Sequence, residues 1–168
     1  MRRTVLWLCL GLLLAGCGDK VKRLEKPEQD HYYALRVFMD KDQRKDYLGL
    51  KTRAERDAWL ESHELWDRFY QYDADTRDQI VAGNVKVGWT EDEVLMAWGA
   101  PYQRRRMTGR PAERSELFMY RFEVDKNGVV RVWVPNSKTA YKAVDQYQQD
   151  LYIDDGRVTE IMKKDHWE

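Results

Sequence analysis

The stretch LFMYRFEVDKNGVVRVWV, residues 117–134, contains the pattern that decides the fold. Every second residue is strongly apolar, which predicts a strand with one apolar face: Phe118, Tyr120, Phe122 and Val124. Asn127 and Gly128 then supply the positive φ angles that a tight hairpin turn needs. The alternation resumes in the three valines at 130, 132 and 134, so the stretch predicts two antiparallel strands.

Two more strands are expected after this hairpin. Residues 144–153 alternate again, and Asp154-Asp155-Gly156 predicts a turn into a last strand over residues 157–163. Helical patterns precede all of these strands. We therefore predict an α+β fold with helices packed on one face of a three- to four-stranded antiparallel sheet, plus an extra N-terminal helical region.

The helical region is expected over residues 30–82. Thr52 and Glu55 have the spacing of a capping box, in which each side chain satisfies a backbone N–H at the start of a helix. Thr90 and Glu93 have the same spacing at the start of a later predicted helix. An apolar stripe follows at helical spacing and is typical of a core: Leu65, Trp66, Phe69 and Tyr70. Asp75 is predicted to cap a further short helix that ends at Gly83.

The first 17 residues have the features of a bacterial lipoprotein signal peptide. Arg2 and Arg3 precede an apolar run, residues 5–14, that is too short to span a bilayer. Leu14-Ala15-Gly16-Cys17 resembles the lipobox, which implies cleavage before Cys17, diacylglycerol on its thiol and acylation, typically palmitate, of the new N-terminus. A plain signal peptide and a buried apolar helix ending in cysteine are the alternatives.

These features divide the chain into four parts. They are a signal peptide (1–16), a lipid-anchored flexible tether (17–29), the N-terminal helical region (30–82) and an α+β domain (83–168). The tether is expected because its residues are mostly polar and charged. Gly18 after the lipidated cysteine implies the outer membrane, facing the periplasm, whereas Asp19 leaves the inner membrane open.

Composition excludes several classes of function. The chain has 29 basic and 29 acidic residues, and loss of Arg2 and Arg3 would leave the mature chain at about −2. Phosphate binding needs a clear basic excess, so nucleic acid is not an expected partner. The two cysteines are Cys9, which is removed with the signal peptide, and Cys17. No disulfide, thiol nucleophile or cysteine-bound metal is therefore expected.

One segment, residues 85–103, together with the late turn at 154–158, resembles the SmpA/OmlA family of small BamE-like lipoproteins. The motif residues are Gly88, Trp89, Thr90, Val94, Gly99 and Pro101. The resemblance covers 85–163 and implies two helices against a three-stranded antiparallel sheet, with a role in outer-membrane β-barrel assembly. Trp89 replaces the usual Met, and the helices before residue 83 have no counterpart in short members. Fold alone does not carry function.

No residue pattern indicates catalysis. The three histidines lack the spacing of metal ligands, no phosphate loop or nucleophile elbow occurs, and no cofactor or metal is expected. The acidic residues 91–93 suit the start of a helix, where negative charge is favourable. We therefore predict that the protein is not an enzyme.

A basic loop before the first predicted strand is the candidate surface for a partner. Its residues are Arg104, Arg105, Arg106, Arg110 and Arg114, next to Tyr102. Such a loop can simply be solvated, or it can bind anionic lipid headgroups or a carboxylate-rich protein. Tyr102 and Trp133 could add aromatic contacts, although Trp133 could equally pack in the core.

The leading hypothesis is a non-enzymatic outer-membrane lipoprotein whose periplasmic domain binds an envelope protein, with β-barrel assembly as the candidate setting. The alternative is a lipoprotein that binds a ligand or inhibitor and shares only the fold. An envelope hydrolase would require clustered carboxylates or histidines, which the sequence does not show.

Overall fold

The computed structural model describes residues 20–135 and 141–167. Its helices precede its sheet, as predicted, and the α+β class is confirmed. The helices are α1 (Lys26–Leu35), a 3-10 turn (Arg36–Phe38), α2 (Lys41–Tyr47), α3 (Arg53–Ser62), α4 (Leu65–Tyr70), α5 (Ala74–Ala82) and α6 (Glu91–Trp98).

The sheet is antiparallel and has five strands in the described part of the chain. They are β1 (Gln103–Met107), β2 (Ser115–Asp125), β3 (Val130–Val132), β4 (Ala143–Asp154) and β5 (Arg157–Lys164). The order is β1-β2-β4-β5, and β3 pairs with the end of β2 on the same side as β1. The long strands β2 and β4 therefore form the centre of the sheet.

The alternation in residues 117–134 places the core as expected. Phe118 and Tyr120 are completely buried beneath the helices, and Phe118 lies opposite Leu151 in the β2–β4 register. The other face of β2 is also covered, since Leu117 and Met119 are buried there. Both faces of the central strand are therefore covered, one of them by the helices.

The predicted capping boxes are confirmed. Thr52 and Glu55 begin α3, and Thr90 and Glu93 begin α6. Within each box, the side chain of each residue accepts a hydrogen bond from the backbone N–H of the other residue. The prediction for α5 was wrong by two residues. Asp73 rather than Asp75 accepts the backbone N–H of Thr76.

The prediction of a basic loop before the first strand was wrong for residues 103–107, which form strand β1. Gln103–Met107 forms an edge strand that pairs with β2 along its whole length. The arginine run has no apolar period, so its own sequence contains no strand signal. The strand forms because β2 offers a free edge and because the Arg104 guanidinium lies over the Phe118 ring at 4.6 Å.

The predicted tether, 17–29, is also corrected. Val21 is only 3% exposed and belongs to the core, and α1 begins at Lys26. The Glu28 carboxylate is buried against Arg56 of α3, with 2.6 Å between Oε1 and Nε. The chain is therefore packed from Val21 onward, and residues 17–19 lie outside the described part.

Aromatic rings join the N-terminal helices to one another. His31 of α1 is buried, and its Nε2 lies 2.7 Å from the Tyr70 hydroxyl of α4. Its ring also meets Trp66 and Phe69 edge-on. These contacts and the Glu28–Arg56 ion pair fix the position of α1.

Candidate functional site: an apolar cleft

An open cleft lies between α1, the C-terminal ends of α5 and α6, and strand β3. Its volume is about 890 Å³, and its floor is formed by the end of the sheet. We call this feature the cleft. Apolar side chains in its lining include Tyr33, Val81, Trp98, Phe122, Val130, Val132, Val134 and Tyr147, and polar side chains, among them Gln29, Asn84 and Gln149, line the rest.

Stacked aromatic rings form the floor of the cleft. Phe122 and Tyr147 face each other across β2 and β4 with their ring centroids 4.9 Å apart and nearly parallel. Trp98 meets Phe122 edge-on at 5.0 Å. Burial raises the pKa of the Tyr147 phenol, so this hydroxyl stays neutral over the physiological range. The floor rings are therefore neutral, and the Lys163 ammonium lies 4.5 Å from the centroid of the Tyr147 ring.

The end of α5 fixes Trp98. Gly83 has a φ of +74°, the left-handed conformation that ends the helix without the strain a side chain would add. Its carbonyl oxygen accepts a hydrogen bond from the Trp98 indole N–H at 2.8 Å. The indole is thus held by α5 as well as α6, with its polar atom satisfied and its face left to the cleft.

Apolar side chains at the rim of the cleft remain open to solvent. They are Tyr33 from α1, Val81 from α5, and Val130 and Val134 from β3 and the residues after it. Val130 is 49% exposed and Val134 is 51% exposed. Exposed apolar side chains around a concave aromatic floor are typical of a binding site.

The charged groups at the rim leave a positive balance. Lys26 is paired with Asp30, and Arg131 is paired with Asp125 at 2.8 Å. Arg36 lies over the Tyr33 ring at 5.0 Å and has no carboxylate within ion-pair distance among residues 20–135 and 141–167. A partner segment with a carboxylate near Arg36 would complement this charge.

The structure pairs several members of the predicted arginine cluster with carboxylates, and Arg104 and Arg114 share two of them, Glu91 and Glu116. Arg104 bonds to Glu116 and Glu91, with 2.6 Å between its Nη2 and the Glu116 Oε2. Arg114 also reaches Glu116 at 2.6 Å. The Arg104 bond holds the pKa of the Glu116 carboxyl below its usual range. These cations are therefore largely neutralised within the fold.

The remaining arginines of the cluster do not form one surface. Arg110 makes a forked bond to Asp154 and holds the pKa of that carboxyl well below its usual range. Arg105 and Arg106 are exposed but alternate along β1, so they point to opposite faces of the sheet. A common binding role for these side chains would need a partner that wraps around the β1 edge.

Tyr102 lies instead in an aromatic group on the sheet face opposite the helices. Its ring is 5.5 Å from Trp133, which in turn is 5.9 Å from Trp167. The Arg121 guanidinium lies among these rings, 3.8 Å from the Tyr102 centroid. Trp133 therefore packs on the outer face rather than in the core.

The six motif residues have structural positions. Thr90 caps α6, while Trp89 and Val94 are buried. The Gly88 N–H bonds to the Val158 carbonyl at 2.7 Å and ties the motif to β5. Gly99 has a positive φ, and its carbonyl accepts the Tyr120 hydroxyl at 2.9 Å before Pro101 leads into β1.

Sequence reasoning missed the cleft, although it placed most of the residues that line it. The valines of β3 have the same alternation as core strands, so the pattern could not show that their side chains remain exposed. Tyr33 and Val81 lie on helices whose packing depends on contacts far apart in the chain. The lipidation residue, Cys17, lies outside the described residues.

Comparisons with known proteins add no relative. No protein-family model, no curated protein and no solved structure matches this chain. The resemblance to the SmpA/OmlA family therefore remains a prediction.

No helix within residues 20–135 and 141–167 has the length and apolar character needed to cross a bilayer. No group of three or more His, Cys, Asp or Glu side chains in these same ranges is placed to hold a metal ion.

Proposed function

We propose that this protein is a bacterial envelope lipoprotein, anchored through Cys17, whose α+β domain binds a partner protein in the cleft. The observation that carries the proposal is the exposed apolar rim around a fixed aromatic floor. Exposure of apolar surface to water is unfavourable, so covering this rim with a partner would lower the free energy. The domain acts in this account as an interaction module, and not as an enzyme.

The residues that line the cleft indicate which side chains a partner segment would carry. An apolar segment would cover the aromatic floor and the rim valines, and a carboxylate on that segment would meet Arg36. Aromatic residues and arginine are the side chains that contribute most to protein interfaces. The cleft offers both, since the Arg36 guanidinium lies over the Tyr33 ring.

The short link to the lipid supports a partner at the membrane. Val21 is packed in the core, and only residues 18–20 separate it from Cys17. Since an extended chain spans at most about 3.6 Å per residue, the core begins within roughly 15 Å of the anchor. The domain would then lie against the bilayer surface. Outer-membrane β-barrel assembly is the setting that the SmpA/OmlA resemblance implies.

A pull-down of the acylated protein from native membranes in mild detergent tests the proposal. Val130→Asp places a charge on the cleft rim, and Val87→Asp is the matched control because Val87 is an equally exposed valine outside the cleft. We expect one set of proteins to be recovered with the wild type and with Val87→Asp, and to be lost with Val130→Asp. Recovery that Val130→Asp leaves unchanged would contradict a role for the cleft.

The ligand-binding alternative predicts a different result. The lipoprotein would be recovered without protein partners, and extraction of the purified protein with organic solvent would release an apolar small molecule. That outcome would replace the protein partner with a ligand in the same cleft.

A further inference from the structure

We infer that the partner enters the cleft as an extended strand that pairs with the free edge of β3. This inference rests on the proposed function and specifies how the partner is held. The occupant is a segment of another protein with alternating apolar side chains, and its backbone continues the sheet beyond β3.

The hydrogen-bond pattern shows that the β3 edge has free backbone groups. The Trp133 N–H bonds to the Arg121 carbonyl at 2.8 Å, and the Val129 carbonyl accepts from the Asp125 N–H at 3.1 Å. In an antiparallel pair only alternate residues face the neighbouring strand. Residues 129, 131 and 133 therefore face β2, and the N–H and C=O groups of Val130 and Val132 point away from the sheet. No group of the described chain bonds to them.

The β1 and β5 edges carry charged residues or are closed by other backbone groups, whereas the two residues of β3 whose backbone groups point outward are both valines. The β1 edge carries three consecutive arginines, and β5 is closed at its start by bonds between Val158 and both Gly88 and Trp89. The far end of β5 carries Lys163 and Lys164. Charges of this kind are the usual protection against pairing with another chain. The sequence of β3 is Val-Arg-Val, and its valines are exposed or half-buried.

The side chains of β3 direct the incoming strand over the cleft. Val132 lies opposite Phe122, and Val130 lies opposite Val124, so both valines are on the same face of the sheet as the aromatic floor. A strand paired beside them would place every second side chain on that face. Its apolar residues would then cover Val130, Val132 and the cleft, and the residues between them would face solvent.

Two other occupants fit these observations less well. A small apolar ligand could fill the cleft but would leave the outward N–H and C=O groups of β3 without partners. A second copy of this chain could pair β3 with β3, but three residues from each chain fall far short of the roughly 800 Å² per partner that a stable interface buries. A longer extended segment uses both the edge and the cleft.

Proline and threonine at position 130 give a matched test. Val130→Pro removes the outward N–H, keeps the bonds of residues 129, 131 and 133 to β2, and is sterically allowed at the first residue of a strand. Val130→Thr keeps the N–H and the branched shape. Because position 130 is exposed, both variants should fold, and thermal melting checks that they do.

The probe is a display library of unstructured dodecapeptides, selected on the acylated full-length protein in detergent. We expect the enriched peptides to alternate apolar and polar residues. They should bind Val130→Pro at least tenfold more weakly than Val130→Thr, because both variants change the side chain at position 130 and only proline removes the N–H. Equal binding to the Thr and Pro variants, or no enrichment of any peptide, would overturn strand addition.

The two proposals can fail separately. If Val130→Asp loses the membrane partner while Val130→Pro keeps it, the cleft binds through side chains alone, and only strand addition is wrong. If Val130→Asp keeps the partner, the proposed function itself is wrong. Concentration-dependent dimerisation of the wild type that Val130→Pro abolishes would identify a second copy as the occupant and would also overturn the inference.

Discussion

Removal of the Arg56 side chain should loosen α1, which forms one wall of the cleft. Arg56 is buried, and its Nε bonds to the Glu28 Oε1 at 2.6 Å while its Nη1 bonds to the Leu50 carbonyl at 2.6 Å. The variant Arg56→Met keeps much of the side-chain volume and removes the charge. Glu28 would then be a buried carboxylate without its cation.

The expected loss is large because both side chains of the pair are nearly inaccessible to solvent, 8% for Arg56 and 2% for Glu28. Breaking a buried ion pair by removing one partner typically costs about 3–5 kcal/mol. For a domain of this length, 1 kcal/mol lowers the melting temperature by roughly 2–4 °C, so the drop should be roughly 6–20 °C. The matched control is Arg53→Met on the same helix. Its ion pairs are exposed and contribute at most about 1 kcal/mol.

The pH dependence of the loss gives a second readout. Burial alone would raise the pKa of Glu28, but the bonds from Arg56 and from the Glu25 N–H outweigh it and lower the pKa. In the wild type this stabilisation is present above the unfolded pKa, near 4.3, and is lost as pH falls through the lower folded pKa. In Arg56→Met, burial dominates, the folded pKa is raised, and protonation removes the buried charge. Urea unfolding should therefore show the difference between variant and wild type shrinking from pH 7 to pH 4. Equal losses of unfolding free energy for Arg56→Met and Arg53→Met, or a loss independent of pH, would show that the buried Glu28–Arg56 pair does not stabilise the fold in this way.

Three further predictions concern other parts of the molecule. Burial lowers the pKa of His31, so the unfolded state takes up a proton before the folded state does as pH falls below about 6.5. The free energy of unfolding should therefore fall by up to about 1.4 kcal/mol per pH unit in that range. Urea unfolding in which His31→Gln shows the same dependence of this free energy on pH would contradict the prediction. Gly83→Ala should cost about 1–2 kcal/mol in thermal melts because φ is +74°, a left-handed conformation that strains an alanine, whereas Gly83→Asn should cost less. Cys17→Ser should abolish incorporation of labelled palmitate in growing cells, and unchanged labelling would disprove the lipid anchor.

Local patterns predicted the parts of the fold that depend on neighbouring residues. The alternation in 117–134 identified β2, β3 and the buried face, and the Thr-x-x-Glu spacing identified the starts of α3 and α6. These signals are local because backbone N–H groups and side-chain direction are fixed within a few residues.

Features that depend on distant residues were not predictable in this way. The segment 20–29 looks like a polar tether, but Glu28 is buried because Arg56 arrives from another helix 28 residues away. The arginine strand β1 exists only against β2. The cleft arises where α1, α5, α6 and β3 fail to close over the sheet, and alternation within one strand carries no information about that gap.

Photo-crosslinking in living cells would show whether a partner protein occupies the cleft. Benzoylphenylalanine would be introduced at Val81 and Val134 on the cleft rim and, as a control, at Val87 outside it. We expect both rim positions to form an adduct with the same partner, Val87 to form none, and Val130→Asp to remove the adducts. Adducts at Val87 alone, or adducts at the rim that Val130→Asp leaves unchanged, would contradict the claim that this cleft binds a partner protein.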